Sequence, residues 1–242
     1  MDYLNAKMLS GLRFNETDTI ILQQPTYYDQ LEDLINRTDK RIIASYIIWR
    51  DLCDYIPYLT ADLRNFEFDF MRAITGKAQK QARWTDCIKL SSSMFNIAIS
   101  SMYVRENFRD QRIRTEVGQI YNEIQSEFEK ILLTTKWMDE ETKSEALLKL
   151  KAMHANIAFP IELMNDSLIE KYYENLKLNE TNYLQSALNV DHHGKEFICS
   201  RFHLPVNRSD WIDYATTIYV NANYNGKGNS IRKYFKVNSL NS

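Results

Sequence analysis

Ile113-Arg114-Thr115-Glu116-Val117-Gly118-Gln119-Ile120-Tyr121-Asn122-Glu123-Ile124-Gln125-Ser126-Glu127-Phe128-Glu129-Lys130-Ile131 is the stretch that decides the fold class. Ile113, Val117, Ile120, Tyr121, Ile124, Phe128 and Ile131 recur at three- and four-residue steps, which places them on one face of a helix. Towards the N-terminus the same spacing links Trp84, Ile88, Phe95, Ala98, Ile99 and Met102 into an earlier helix. Leu63, Phe66, Phe70 and Ile74 mark a shorter one that ends near Gly76. The segment from Arg41 to Tyr55 is apolar on more than one side, so it is expected to lie deep between other helices. Towards the C-terminus Asp139 is placed to cap a helix whose first turn carries Glu140 and Glu141, where acids suit the positive end of the helix dipole. Ala146, Leu147, Leu150 and Met153 form its buried stripe, and Pro160 is expected to stop it.

Beyond Pro160 the pattern changes. Leu163 to Leu178 reads as a short, polar helical piece, and Val190 to His203 has no clear period. Thr216-Thr217-Ile218-Tyr219-Val220 is β-branched and aromatic, and a turn at Asn225-Gly226-Lys227-Gly228 leads to Asn229-Ser230-Ile231. This reads as a strand, a Gly-rich turn and a second strand. Such a hairpin needs a sheet to join, and no further strand is evident in the sequence. The expected class is mainly α, with a short β-hairpin near the C-terminus.

Composition narrows the function. The 242 residues are 44% hydrophobic and 26% charged, with only six Gly and four Pro, so the chain has the means to bury a core and few breakers to interrupt helices. A net charge of −2 offers no basic surface for a nucleic-acid backbone, so nucleic acid is excluded as a partner. The apolar run Ile42-Ile43-Ala44-Ser45-Tyr46-Ile47-Ile48-Trp49 is far shorter than the roughly 20 residues a membrane span needs. Met1-Asp2-Tyr3-Leu4-Asn5 lacks the basic end and apolar core of a signal peptide. Cys53, Cys87 and Cys199 are an odd set without the close pairing of zinc sites. Asn15, Asn36, Asn165, Asn179 and Asn207 are each followed two residues later by Ser or Thr, the acceptor pattern for N-linked glycan and a sign of secretory origin if it is used.

Several segments, in order, resemble the middle of the neprilysin family of zinc metallopeptidases, which includes the endothelin-converting enzymes. They are Trp84-Thr85-Asp86-Cys87, Met102-Tyr103-Val104-Arg105-Glu106-Asn107-Phe108, Trp137-Met138-Asp139-Glu140-Glu141-Thr142-Lys143, Ala158-Phe159-Pro160 and Val220-Asn221-Ala222-Asn223-Tyr224. The resemblance runs from about Tyr3 to Ile231. It implies a helical lobe over 1–155, a connecting segment over 156–215, the first edge strand and hairpin of a catalytic domain over 216–231, and an unrelated tail over 232–242. It also implies that Asn221, through its side-chain amide, and Ala222, through its backbone, hold a peptide substrate as an added strand. Cys87 matches a family cysteine bonded to one in a more N-terminal segment. The family acts on small extracellular peptides with zinc.

Two departures matter. The family strand carries an aromatic where this chain has Asn223, and after its hairpin it continues to His-Glu-X-X-His, which Arg232 to Ser242 does not resemble. Zinc proteolysis needs two His one helical turn apart with a Glu between them. His154, His192, His193 and His203 include no such pair. Glu106-Asn107-Phe108-Arg109-Asp110 has the spacing of the family's third zinc ligand and its supporting Asp, but it precedes the place where that motif belongs and reads as a solvated helix end. No catalytic residue, metal ligand or bound zinc is therefore expected in this chain. Trp84, Trp137 and Trp211 are expected to anchor the core. The resulting expectation is a shortened neprilysin-like peptidase, inactive alone, whose full-length form takes peptide substrates. The alternative is a non-catalytic binding or regulatory protein built on the helical lobe, associating with a full-length relative.

Overall fold

A computed structural model describes residues 5, 11–108, 112–217 and 221–233. Helices dominate: α1 (Pro25–Arg37), α2 (Lys40–Tyr55), α3 (Ala61–Thr75), α4 (Arg83–Met94), α5 (Asn96–Asn107), α6 (Arg112–Thr134), α7 (Glu140–Lys151), α8 (Asp166–Tyr173) and α9 (Tyr183–Ser200). Among the described residues three short strands, β1 (His154–Ile157), β2 (Ala222–Asn225) and β3 (Ser230–Lys233), accompany them.

Helix ends follow local chemistry. Pro25 occupies the first turn of α1, where its missing N–H costs nothing. Asp39 caps α2 by accepting from the Arg41 amide. Gly76 ends α3 in the left-handed conformation, φ 69°, returning its N–H to the Arg72 carbonyl as only a residue without Cβ does readily. Asp139 caps α7, accepting from the Thr142 amide at 2.7 Å. That bond holds its carboxyl below the usual aspartate range.

The chain divides into two compact units. In the first, made of Met1–Asp86 and Asn175–Leu204, Tyr58 meets Tyr183 edge to face at 5.5 Å and the Phe14 and Phe202 rings lie 5.5 Å apart. The deep position expected for α2 is not found. None of its residues is buried, and Ile48 is 60% exposed. An apolar face records what a helix offers for burial, and among the described residues no layer covers this one.

The second unit comprises Cys87–Glu174 and Pro205–Ser242. Its core gathers Ile97, Val104 and Phe108 of the α5 region with Ala158, Phe159, Leu163 and Ala215. Helix α5 is pinned by polar contacts along its length. Asn96 Nδ2 donates to Thr216 Oγ1 (3.1 Å), the Ala98 amide donates to the Tyr173 hydroxyl (3.4 Å), Thr217 N–H donates to Ser100 Oγ (3.0 Å), and Ser101 Oγ donates to the Leu163 carbonyl (2.6 Å). Ser100, Ser101 and Thr217 are buried, so these bonds replace water that cannot reach them.

Several expectations change on this frame. Trp84 to Met102 is two helices, α4 and α5, broken at Phe95, whose ψ of 38° leaves the helical well. Helix α7 ends at Lys151, well before Pro160, and the chain turns into β1. That strand supplies the sheet the hairpin requires. The order is β1-β3-β2, with β3 parallel to β1 and antiparallel to β2. Leu163 to Leu178 shrinks to α8, preceded by a 3-10 turn at Ile161–Met164, while Val190 to His203 falls largely within α9, capped by Asn182. Its stripe is sparse, with Ala187, Val190 and Cys199 buried, and it starts before Val190, so the stretch from Val190 onward shows little period of its own. Trp84 and Trp137 are exposed, and Trp211 alone of the expected anchors packs on the core.

Candidate peptide-binding edge

The hairpin is shaped by asparagines. Asn225 Oδ1 accepts from the amides of Lys227 (3.1 Å) and Gly228 (3.3 Å), closing the loop that returns β2 to β3. Asn229, at φ 45°, sits at the junction of the hairpin with α7 and β1. Its Nδ2 donates to the Lys149 carbonyl at 2.8 Å, its Oδ1 accepts from the Tyr224 hydroxyl at 3.0 Å, and its carbonyl accepts from the His154 amide at 3.0 Å. Sequence reasoning gave Asn229 no role beyond starting a strand. The signal was present in the Asn-Gly-Lys-Gly-Asn composition, but its partners lie far off in sequence.

β2 lies at the outside of the sheet, paired on one side with β3 through Ala222↔Lys233, Asn223↔Arg232, Tyr224↔Ile231 and Asn225↔Ser230. In an antiparallel pair alternate residues turn both backbone groups toward the partner, so the intervening ones turn theirs outward. Among the described residues no strand pairs with that outer side. β2 begins at Ala222, two residues beyond the end of the strand-forming run Thr216–Val220 that the sequence suggests. Thr216 and Thr217 are irregular, and Ile218, Tyr219 and Val220 lie outside the described residues.

The two residues singled out from the sequence stand together at the head of this edge. Asn221 and Ala222 are both exposed, and Asn221 Oδ1 accepts from the Ala222 amide at 2.8 Å. That contact occupies the amide oxygen and leaves the Nδ2 donor pointing to no partner among the described residues. Asn223, opposite Arg232, faces away from Tyr224 because strand side chains alternate. Tyr224 and Ile231 line an apolar cavity of about 500 Å³ with Ile124, Phe128, Leu150 and Met153. Burial lifts the Tyr121 hydroxyl at that cavity above the ordinary tyrosine range.

Metal chemistry finds no ligand set here. Among the described residues no group of three or more His, Cys, Asp or Glu is placed to hold an ion. His154 is on β1, His192 and His193 are adjacent on α9, and His203 follows that helix. His192 faces Glu196 across one turn at 3.7 Å. Adjacent helical residues diverge by about 100°, so His192 and His193 cannot both reach one ion as ligands a turn apart would. Of the Glu106 to Asp110 spacing, Glu106 is exposed near the end of α5, and Arg109 and Asp110 lie outside the described residues. Cys53, Cys87 and Cys199 are free thiols.

Residues 1–160 match the family model described as Peptidase family M13. Neprilysin-2 of Drosophila melanogaster is 31% identical over 243 residues, covering 96% of this chain and 31% of that protein. The endothelin-converting enzyme homolog of Locusta migratoria is 27% identical, covering 90% of this chain and 30% of its own length. The crystal structure of the zinc metalloprotease ZMP1 of Mycobacterium tuberculosis superposes with a TM-score of 0.74 at 23% identity, covering 86% of this chain and 30% of that one, a likeness of fold. The chain spans about a third of the length of the relatives it matches.

Proposed function

The chain belongs to peptidase family M13, and on that premise we propose that it carries the helical lobe and the peptide-holding edge of a neprilysin-like zinc endopeptidase acting on small extracellular peptides. The observation that carries the proposal is the outer side of β2, with which no strand pairs among the described residues and at whose head stand Asn221 and Ala222. An extended peptide laid along that side satisfies its own backbone groups against outward-facing groups of β2. Asn221 adds an amide able to donate through Nδ2 and accept through Oδ1. On docking, a peptide carbonyl takes the Ala222 N–H in place of Asn221 Oδ1, which frees that oxygen to receive a peptide N–H.

Zinc supplies such enzymes with a Lewis acid and an activated water. The 242 residues contain no His-Glu-X-X-His, and the described residues hold no metal-ligand set, so no step of hydrolysis is assigned to them. In this proposal the chain taken alone binds peptide weakly at one wall and does not cleave it. Extracellular or cell-surface placement is part of the same reading, supported by the acceptor pattern at five asparagines.

The test is a titration of isotopically labelled chain with an uncleavable extended peptide, followed through its amide resonances. Shifts concentrated at Ala222 to Asn225 are expected. Asn221→Ala should weaken the interaction by about tenfold, the value of a hydrogen bond of roughly 1.4 kcal/mol. Shifts confined to other elements, or an unchanged affinity in the variant, would remove the edge from the proposal.

A further inference from the structure

The five asparagines of the glycan-acceptor pattern are all exposed, yet the fold does not present them alike. At Asn179 the side-chain oxygen accepts from the Thr181 amide (3.0 Å), the Thr181 hydroxyl (2.9 Å) and the Asn182 amide (3.0 Å). Asn15 repeats the arrangement, its Oδ1 accepting from the Thr17 amide at 2.9 Å and from the Thr17 hydroxyl. Asn165 and Asn207 have only the backbone half, accepting from Ser167 (3.1 Å) and Ser209 (3.0 Å). Asn36 has neither. It lies within α1, and the hydroxyl of its Thr38 turns back to the Leu34 carbonyl at 2.5 Å.

These differences bear on the chemistry of transfer. Glycosylation forms a bond between Nδ2 and the anomeric carbon of a sugar carried on a polyprenyl pyrophosphate. The bond from that carbon to the pyrophosphate oxygen breaks, the pyrophosphate leaves with the electron pair, and Nδ2 gives up a proton to the transferase. An amide nitrogen is a poor nucleophile because its lone pair is delocalised onto its oxygen. Donors bonded to that oxygen stabilise the charge it carries as the N–H proton is lost. Asn179 and Asn15 hold such donors already, with Nδ2 making no hydrogen bond among the described residues. At Asn36 the hydroxyl must first leave its helical carbonyl, and the last turn of α1 must open.

We propose that Asn179 and Asn15 are N-glycan acceptor sites of the folded chain and that Asn36 is not. The occurrence of the modification in the cell rests on the extracellular reading above, whereas acceptor competence belongs to the local geometry and is measurable without it.

The experiment offers the purified, folded chain to a solubilised oligosaccharyltransferase with its polyprenyl-pyrophosphate oligosaccharide. Glycans are then released by an amidase in ¹⁸O-water, which marks each used asparagine for mass spectrometry. The five acceptor peptides cut from the chain serve as unfolded controls. In the folded chain Asn179 and Asn15 should be used at least about tenfold more than Asn36, the effect of one or two hydrogen bonds. In the free peptides that preference should largely disappear. Equal use of Asn36 in the folded chain, no use of Asn179 and Asn15, or the same preference in the peptides would each overturn the proposal.

Discussion

Thr217 gives its backbone N–H to Ser100 Oγ at 3.0 Å, and both residues are buried. This bond ties the middle of α5 to the segment that leads toward β2, across 117 positions of sequence. Its neighbour Ser101 donates to the Leu163 carbonyl, so two adjacent serines fasten α5 to separate segments.

Ser100→Ala leaves the Thr217 amide without a partner where water cannot reach it. A buried donor so orphaned costs about 1–3 kcal/mol. The midpoint of urea unfolding should fall accordingly with no change in slope. A shift near zero would mean that the segment relaxes and that the bond does not fasten it.

Asn229 combines a strained backbone with side-chain bonds that Gly and Ala dissect. Asn229→Ala loses the bonds to Lys149 and Tyr224 and keeps a Cβ at φ 45°, whereas Asn229→Gly loses the bonds alone. Each variant should destabilise the hairpin, Ala by roughly 2 kcal/mol and Gly by roughly 1. Amide hydrogen exchange at Ser230 to Arg232 reads the effect. Equal exchange in the two variants would show that the left-handed conformation carries no cost here.

Burial pushes the Tyr173 hydroxyl up to about 12. The folded chain therefore holds this proton at a pH where the unfolded chain, with a tyrosine near 10, releases it. Stability from this group is fully present below about pH 10 and falls as pH rises from there toward 12. Tyr173 is only partly buried, so the loss is at most about 2 kcal/mol. Comparing unfolding free energies of wild type and Tyr173→Phe across pH 8 to 12 should show a shallower decline in the variant. Parallel declines would place the tyrosine in water.

Features encoded within a few residues were legible from the sequence. Gly76 ends α3 because a left-handed residue closes a helix, and Asp139 caps α7 through a carboxylate three residues from its amide. The hairpin turn was visible in its asparagines and glycines. Features that depend on distant partners were not. β1 carries no strand pattern of its own and exists because His154 to Ile157 line up with Ser230 to Lys233. The break at Phe95 leaves the apolar period nearly intact, so periodicity read straight through it. Trp84 and Trp137 show that a large aromatic reports an appetite for burial, with coverage decided elsewhere. Asn221 and Ala222 were named through family resemblance; Ala222 opens β2 and Asn221 directly precedes it, a place that their local sequence did not specify.

The central claim, that this chain holds a peptide-binding edge without the means to hydrolyse, is tested most directly by incubating it with zinc and an internally quenched peptide. The account predicts no increase in fluorescence above the peptide's own background. Cleavage that appears with the chain, grows with added zinc and stops with a chelator would contradict it.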